Sequence, residues 1–374
     1  MSQIPEFRNI DNDNNGVDRA SANHIDDRRF RADSSNDSAE HNPGLLPSMQ
    51  TPDASVNIAH AHDLLLTVRK MLQETVVGQR RVIDDLLVAT TAGGHVLVEG
   101  VPGLGKTLLV RSLAKCIAGS FSRVQFTPDL MPSDIVGHAM FDAETQQFSI
   151  RRGPVFANFI VADEINRAPA KTQAALLEAM QEQQVSIEGE TMVLPSPFMV
   201  LATQNPIEQE GTYPLPQAQL DRFLTKLMID YPDEQDELDM LRLTTEGSIG
   251  DKLDISRIDK VMQATDLLAL QRSAASIHVD NAVAAYIVEL VRSTRAWNGI
   301  DVGAGPRASI AMLRAGRAQA LLNGHDFITP DDVKSIAPAV LRHRISLSAD
   351  LEIEGYRTDD VIGDLLEQIA APRQ

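Results

Sequence analysis

The stretch that decides the reading is Gly100-Val101-Pro102-Gly103-Leu104-Gly105-Lys106-Thr107, which fits the pattern G-x-x-x-x-G-K-T. In such a loop the glycines let successive backbone N–H groups close around phosphates. The lysine ammonium reaches the β- and γ-phosphates, and the threonine hydroxyl reaches Mg²⁺. The flanks agree with this. Val96-Leu97-Val98 reads as a buried strand before the loop, and Thr107-Leu108-Leu109-Val110-Arg111-Ser112-Leu113 as a helix whose N-terminal dipole faces the anion. Lys106 is therefore expected on the phosphates and Thr107 on the metal.

Working outward, Phe159-Ile160-Val161-Ala162 ends in Asp163-Glu164. Four apolar residues closed by an acidic pair describe a buried strand whose carboxyl tip emerges where open α/β sheets bind ligands. Asp163 is expected to hold Mg²⁺ through water. Glu164 is expected to orient and deprotonate an attacking water, which needs a carboxylate near the metal but not on it. Ala202-Thr203-Gln204-Asn205-Pro206 then reads as a strand ending in a polar residue stopped by proline. Asn205 either reaches the γ-phosphate or water, or only forms a turn.

These strands, with Leu227-Met228-Ile229, alternate with helical stretches, a pattern that predicts a parallel sheet buried on both faces and wrapped by helices. After Tyr231-Pro232 only helical periodicity recurs, near 233–246, 257–270, 280–296, 306–322, 330–343 and 358–370. Thr329-Pro330-Asp331-Asp332 marks a helix start by a capping threonine, a first-turn proline and first-turn carboxylates. The chain thus divides into a polar tail over 1–54 expected to be disordered, an α/β domain over 55–232, and a helical domain over 233–374.

Composition narrows the function classes. A net charge of −18 and a pI near 4.9 argue against a sequence-independent nucleic-acid binder. No apolar run approaches the roughly 20 residues needed to cross a bilayer, so a cytoplasmic protein without membrane insertion is expected. The lone cysteine, Cys116, sits among apolar neighbours and reads as a core thiol.

Taken together, the strand-loop-helix, Asp163-Glu164-Ile165-Asn166-Arg167-Ala168, the Asn205 strand and Asp221-Arg222-Phe223 resemble an AAA+ ATPase, and more narrowly the MoxR group. The narrower likeness is carried by Val77-Gly78-Gln79, Gly153-Pro154-Val155-Phe156-Ala157-Asn158, Leu220-Asp221-Arg222-Phe223-Leu224, Gly305-Pro306-Arg307-Ala308 and Leu341-Arg342-His343-Arg344. The resemblance implies a P-loop core with a helical lid, and ATP and Mg²⁺ as cofactors. Gly100, Val101, Pro102, Gly103, Leu104, Gly105, Lys106 and Thr107 would hold the phosphates, with Val77, Gly78 and Gln79 near the adenine. Asn205 would be the first sensor, Arg307 the lid's second sensor closing over the site, and Arg222 an arginine finger reaching a neighbour's ATP.

Family members often read Gly-Ala-Ser-Pro-Arg where this chain has Gly303-Ala304-Gly305-Pro306-Arg307, and the extra glycine loosens that turn. Arg167 is either a further sensor or a surface ion pair. The resemblance further implies a ring, a hexamer, that remodels or matures client proteins, including metal or cofactor insertion, with a von Willebrand factor A domain adaptor. Segments near 141–150 and 185–194, the latter turning at Glu188-Gly189, would act on the client or else be ordinary surface hairpins. A magnesium-chelatase-like ATPase subunit, a DNA-acting motor and a nucleotide binder without turnover stay open beside it.

Overall fold

The computed structural model describes residues 57–100, 103–142, 146–205, 211–245, 255 and 257–372, all within the unit Pro52–Gln374. The tail expected over 1–54, and Val101, Pro102 and Pro206, lie outside the described residues.

Two helices open the fold, α1 (Ile58–Thr75) and α2 (Arg80–Thr91). The Asn57 side chain caps α1 by accepting from Ala59 N at 3.0 Å, and Leu65, Val68 and Leu72 recur on its buried face. Then come β1 (Val96–Gly100), α3 (Lys106–Cys116), β2 (Phe121–Gln125), α4 (Pro132–Val136), β3 (Gly137–Asp142), β4 (Gln147–Arg152), β5 (Phe159–Asp163) and α5 (Ala170–Glu182). They are followed by β6 (Gln184–Ile187), β7 (Glu190–Val193), β8 (Met199–Gln204), α6 (Gln217–Leu220) and β9 (Thr225–Ile229).

The five-stranded sheet runs β2-β5-β8-β1-β9, all parallel. Successive side chains along its strands alternate sides, as pleating requires. Val96, Val98, Phe159, Val161 and Leu201 face one core with α1, α2 and α3, whereas Leu97, Ile160, Ala162, Val200 and Ala202 face a second core with α5. Because every strand points the same way, Gly100, Gln125, Asp163 and Gln204 all finish at one edge of the sheet. That shared edge is what gathers the site.

Both expected hairpins form. β3 pairs with β4, with Phe141 and Phe148 opposite each other and their ring centroids 5.2 Å apart; residues 143–145 between the strands are outside the described set. β6 pairs with β7 through Glu188 and Gly189, whose φ values of 49° and 83° are those of a two-residue turn matched to strand twist.

The remaining chain is α7 (Glu234–Thr245), α8 (Ala264–Ser276), α9 (Asn281–Ser293), β10 (Ile300–Val302), α10 (Pro306–Leu322), α11 (Pro330–Leu341), β11 (Ser346–Leu347), α12 (Ala349–Ile353) and α13 (Thr358–Gln368). Its buried residues, among them Leu270, Leu290, Met312 and Ile336, share the apolar core of α1, α2, α3 and β9.

One expectation needs correction, and two strand features lay outside the sequence expectations. The helix expected over 257–270 begins only at Ala264. Val261 N and Met262 N both donate to Cys116 O, at 2.8 and 3.1 Å, so this chain is spent in closing the end of α3, and Gln263 with Asp266 then caps α8. Edge strand β2 was not among the expected strands, because Phe121-Ser122-Arg123-Val124-Gln125 has polar residues at three of five positions. The β10–β11 pair is antiparallel and too short for any periodic signal. Cys116 is fully buried, and burial pushes its thiol up to about 11, as a core thiol requires.

Candidate active site

The phosphate loop is set by backbone conformation. Gly103 and Gly105 hold φ of 88° and 74°, a left-handed region that costs a side-chain-bearing residue energy even though open space surrounds both positions. Gly105 is the residue from which α3 starts, so the first N–H groups of that helix face the cleft rather than a preceding turn. Gly100 is required for a different reason, since a Cβ there would meet Ile229 O at 2.5 Å.

Lys106, half-buried at the start of α3, donates from Nζ to Gly100 O. Burial lowers its pKa below the ordinary lysine value, and the carboxylates of Asp163, Glu164 and Glu99 pull it back up. A polyanion entering here would meet a cation that has already lost part of its hydration.

Asp163 and Glu164 stand at the tip of β5. Asp163 accepts from Arg123 Nε at 2.6 Å and from Thr203 Oγ1 at 3.2 Å. The same Thr203 oxygen accepts Glu164 N at 2.9 Å. Glu164 takes φ 55° and ψ 50°, left-handed for a non-glycine residue, a conformation typical of strained functional sites. Its carboxylate accepts Gln125 Nε2 at 2.8 Å and Arg167 Nη1 at 3.1 Å. Arg167 is therefore an ion-pair partner of Glu164.

A cleft of about 340 Å³ collects these groups. Gly103, Leu104, Gly105, Lys106 and Thr107 line one side, Asp163, Glu164, Thr203 and Asn205 another, and Val76, Val77, Gln79, Pro232 and Met240 an apolar end. Gln79 is oriented by its Nε2, which donates to Asp230 O at 3.1 Å. Gly78 turns away into a neighbouring pocket with Asp85, Asp230 and Arg342. The oxygen donors fit Mg²⁺. Thr107 and Asp163 face the same space, a hydroxyl and a carboxylate, as suits an ion that also takes the ligand's own phosphates.

The two remaining arginines are elsewhere. Arg222 and Arg307 line a second groove of about 390 Å³ with Gly93, His95, Asp221, Arg314 and Arg344. Arg307, expected to close over the phosphate loop, is thus not among the residues that line the cleft. It stands in the first turn of α10, which shares its groove with the Asp221–Leu224 segment instead of the cleft. Residues the sequence reading passed over are Arg123 and Gln125 on β2 and the Thr203 hydroxyl. The i, i+2 spacing of the first two is a signal only once β2 is known to pair with β5.

Comparisons with known proteins agree with this geometry. A family model described as the ATPase family associated with various cellular activities matches residues 95–225, and an AAA lid domain model matches residues 292–365. The chain is 44% identical to the uncharacterized protein YeaC of Bacillus subtilis, over 84% of this chain and 96% of that one. It is 42% identical to the chaperone MoxR1 of Mycobacterium tuberculosis, over 81% of each. The crystal structure of a candidate ATPase from Cytophaga hutchinsonii superposes with a TM-score of 0.77 at 41% identity, covering 84% of this chain and 97% of that one. With the parallel sheet, the phosphate loop and the helical lid all in place, the chain belongs to the MoxR family of AAA+ ATPases.

Proposed function

We propose that this chain is an ATP-hydrolysing motor whose cleft takes ATP with Mg²⁺ and whose active form is a ring, a hexamer by family analogy. The observation that carries the reading is the convergence of Lys106, Thr107, Asp163, Glu164 and Asn205 on one cleft at the carboxyl edge of a parallel sheet.

Each group has a defined task. Backbone N–H groups of Gly103 to Thr107 and the Lys106 ammonium bind the phosphates, while Val77, Gln79 and Met240 give the base an apolar seat. Thr107 and Asp163 would hold Mg²⁺, which when bound neutralises charge on the phosphate oxygens. Glu164 is the general base. Its carboxylate, already restrained by Gln125 and Arg167, orients a water and accepts its proton, and Asn205 steadies the γ-phosphate or that water.

Arg222 and Arg307 share a groove outside the cleft, which supports their serving the site of a neighbouring copy. A finger supplied in this way is worth about 10³ to 10⁵ in rate, or roughly 4 to 7 kcal/mol. The motor's work is remodelling of a client protein, a reading favoured by the chaperone name of the mycobacterial relative. Metal or cofactor insertion and a von Willebrand factor A domain adaptor belong to the same proposal by family analogy.

Steady-state phosphate release by the purified protein at high concentration tests hydrolysis. Wild type is expected to turn over, and Glu164→Gln to bind ATP but turn over at least 10²-fold more slowly. Equal rates, with both proteins binding ATP, leave a nucleotide binder without turnover.

A further inference from the structure

The segment carrying Arg222 is gripped from behind by the chain leaving α11. The side chain of Arg344 is 3% exposed, yet every nitrogen of its guanidinium is engaged. Nε donates to Asp221 Oδ1 at 2.7 Å, Nη2 to Phe223 O at 2.5 Å, and Nη1 to Leu224 O at 3.0 Å and to Val340 O. His343, also buried, places Nε2 3.0 Å from Phe223 O, so its proton sits on that nitrogen. Arg342 Nη1 donates to Lys226 O at 3.0 Å, while its Nε binds Asp359 on α13 at 2.9 Å.

The carbonyls of Phe223, Leu224 and Lys226, with the Asp221 carboxylate, are thus taken up by three consecutive residues of the helical region. Among the described residues, the Arg222 guanidinium itself has no hydrogen-bond partner and faces the groove beside Arg307. Stability is a poor reason for this arrangement. A buried ion pair is commonly no better than apolar side chains of similar volume, because desolvation offsets the attraction. What a planar fork with several donors does better than any apolar side chain is fix a backbone in one register.

We propose that Arg344, with His343 beside it, is a positioning residue for Arg222, locking the backbone of the finger to the helical region so that the two move as one body. The proposal rests on Arg222 acting in trans. Movement of the helices at one site then changes how the finger is presented to the next copy.

Arg344→Lys keeps the charge opposite Asp221 but not the fork, and Asp221→Leu/Arg344→Met replaces the pair with apolar volume should the lysine variant fail to fold. Each is measured for ATP Kd by nucleotide fluorescence and for kcat by phosphate release. Each is then mixed with Glu164→Gln subunits or with Arg222→Ala subunits. Misplacing a reacting group by about 1 Å costs on the order of 10² in rate. We expect ATP Kd within about twofold of wild type and kcat lower by about 10². Activity should return on mixing with Glu164→Gln, whose finger is intact, and not on mixing with Arg222→Ala. General damage to the fold would weaken ATP binding and be rescued by neither. A wild-type kcat, or rescue by Arg222→Ala, overturns the proposal. The control mixture of Arg222→Ala with Glu164→Gln separates the two readings: if it stays inactive, the finger in trans falls, and the positioning role with it; if it recovers while the Arg344 variants do not, only the positioning role falls.

Discussion

One hydroxyl organises both acidic residues of the cleft. Thr203 Oγ1 donates to Asp163 at 3.2 Å and accepts the backbone N–H of Glu164 at 2.9 Å, which holds Glu164 in its left-handed conformation. Such a conformation costs about 1 to 3 kcal/mol and persists only where neighbours over-determine it. Thr203→Val keeps the shape and removes the hydrogen bonds, leaving a backbone donor unsatisfied. The expected result is a stability loss of about 1 to 3 kcal/mol in urea titrations. Phosphate release should fall at least about tenfold while ATP affinity stays close to wild type, since Lys106 and the loop amides are untouched. At this scale the sequence is legible where chemistry is local. Lys106-Thr107 and Asp163-Glu164 are contiguous and carry their own strand and helix signals. Arg123 and Gln125 are not legible, because their meaning arises only when β2 pairs with β5 and Gln125 comes opposite Asp163.

Among the elements, α11 is the one whose start was written most clearly, and the structure supplies the bonds. Asp332 N donates to Thr329 Oγ1 at 3.1 Å, and Thr329 N donates to Asp332 Oδ2 at 2.8 Å. Thr329→Ala is expected to cost about 1 kcal/mol of stability, read as a shift in the urea midpoint, with ATP affinity unchanged because the cap does not line the cleft. The helix α8 behaved differently. Ile258, Val261 and Met262 carry helical spacing, but the backbone of Val261 and Met262 is drawn to Cys116 at the end of α3, a partner far away in sequence. Periodicity identifies which residues are buried, and it cannot say whether they are buried as a helix. The central strands were readable because β5 and most of β8 are buried throughout, whereas edge strand β2 presents polar residues on its open side.

For the molecule as a whole, buried groups of two kinds give stability opposite dependences on pH. The His95 ring is held neutral between Val200 N, which donates to Nδ1 at 3.0 Å, and Met180 O, 3.1 Å from Nε2, and burial lowers its pKa to about 4. The unfolded chain protonates this histidine near its ordinary value, so its contribution is complete above that value and is lost as pH falls toward 4. His343, lowered well below the ordinary histidine value by burial and by Arg344, acts in the same direction. Asp85 does the reverse. Burial pushes its carboxyl up to about 6, so the folded state holds a proton that the unfolded chain releases, and the contribution is lost as pH rises from about 4 through 6. Between pH 4 and 6 these slopes oppose one another, which leaves the wild-type protein with a shallower acid loss than its histidines alone would give. Asp85→Asn removes the opposing slope. The variant is expected to be more stable than wild type at pH 7.5, by up to about 3 kcal/mol, and to lose that advantage by about pH 4. His95→Gln should instead flatten the acid loss. Urea midpoints of the three proteins at pH 7.5, 6 and 5 decide the matter, and parallel curves for wild type and Asp85→Asn would show that Asp85 titrates alike in the folded and unfolded chain.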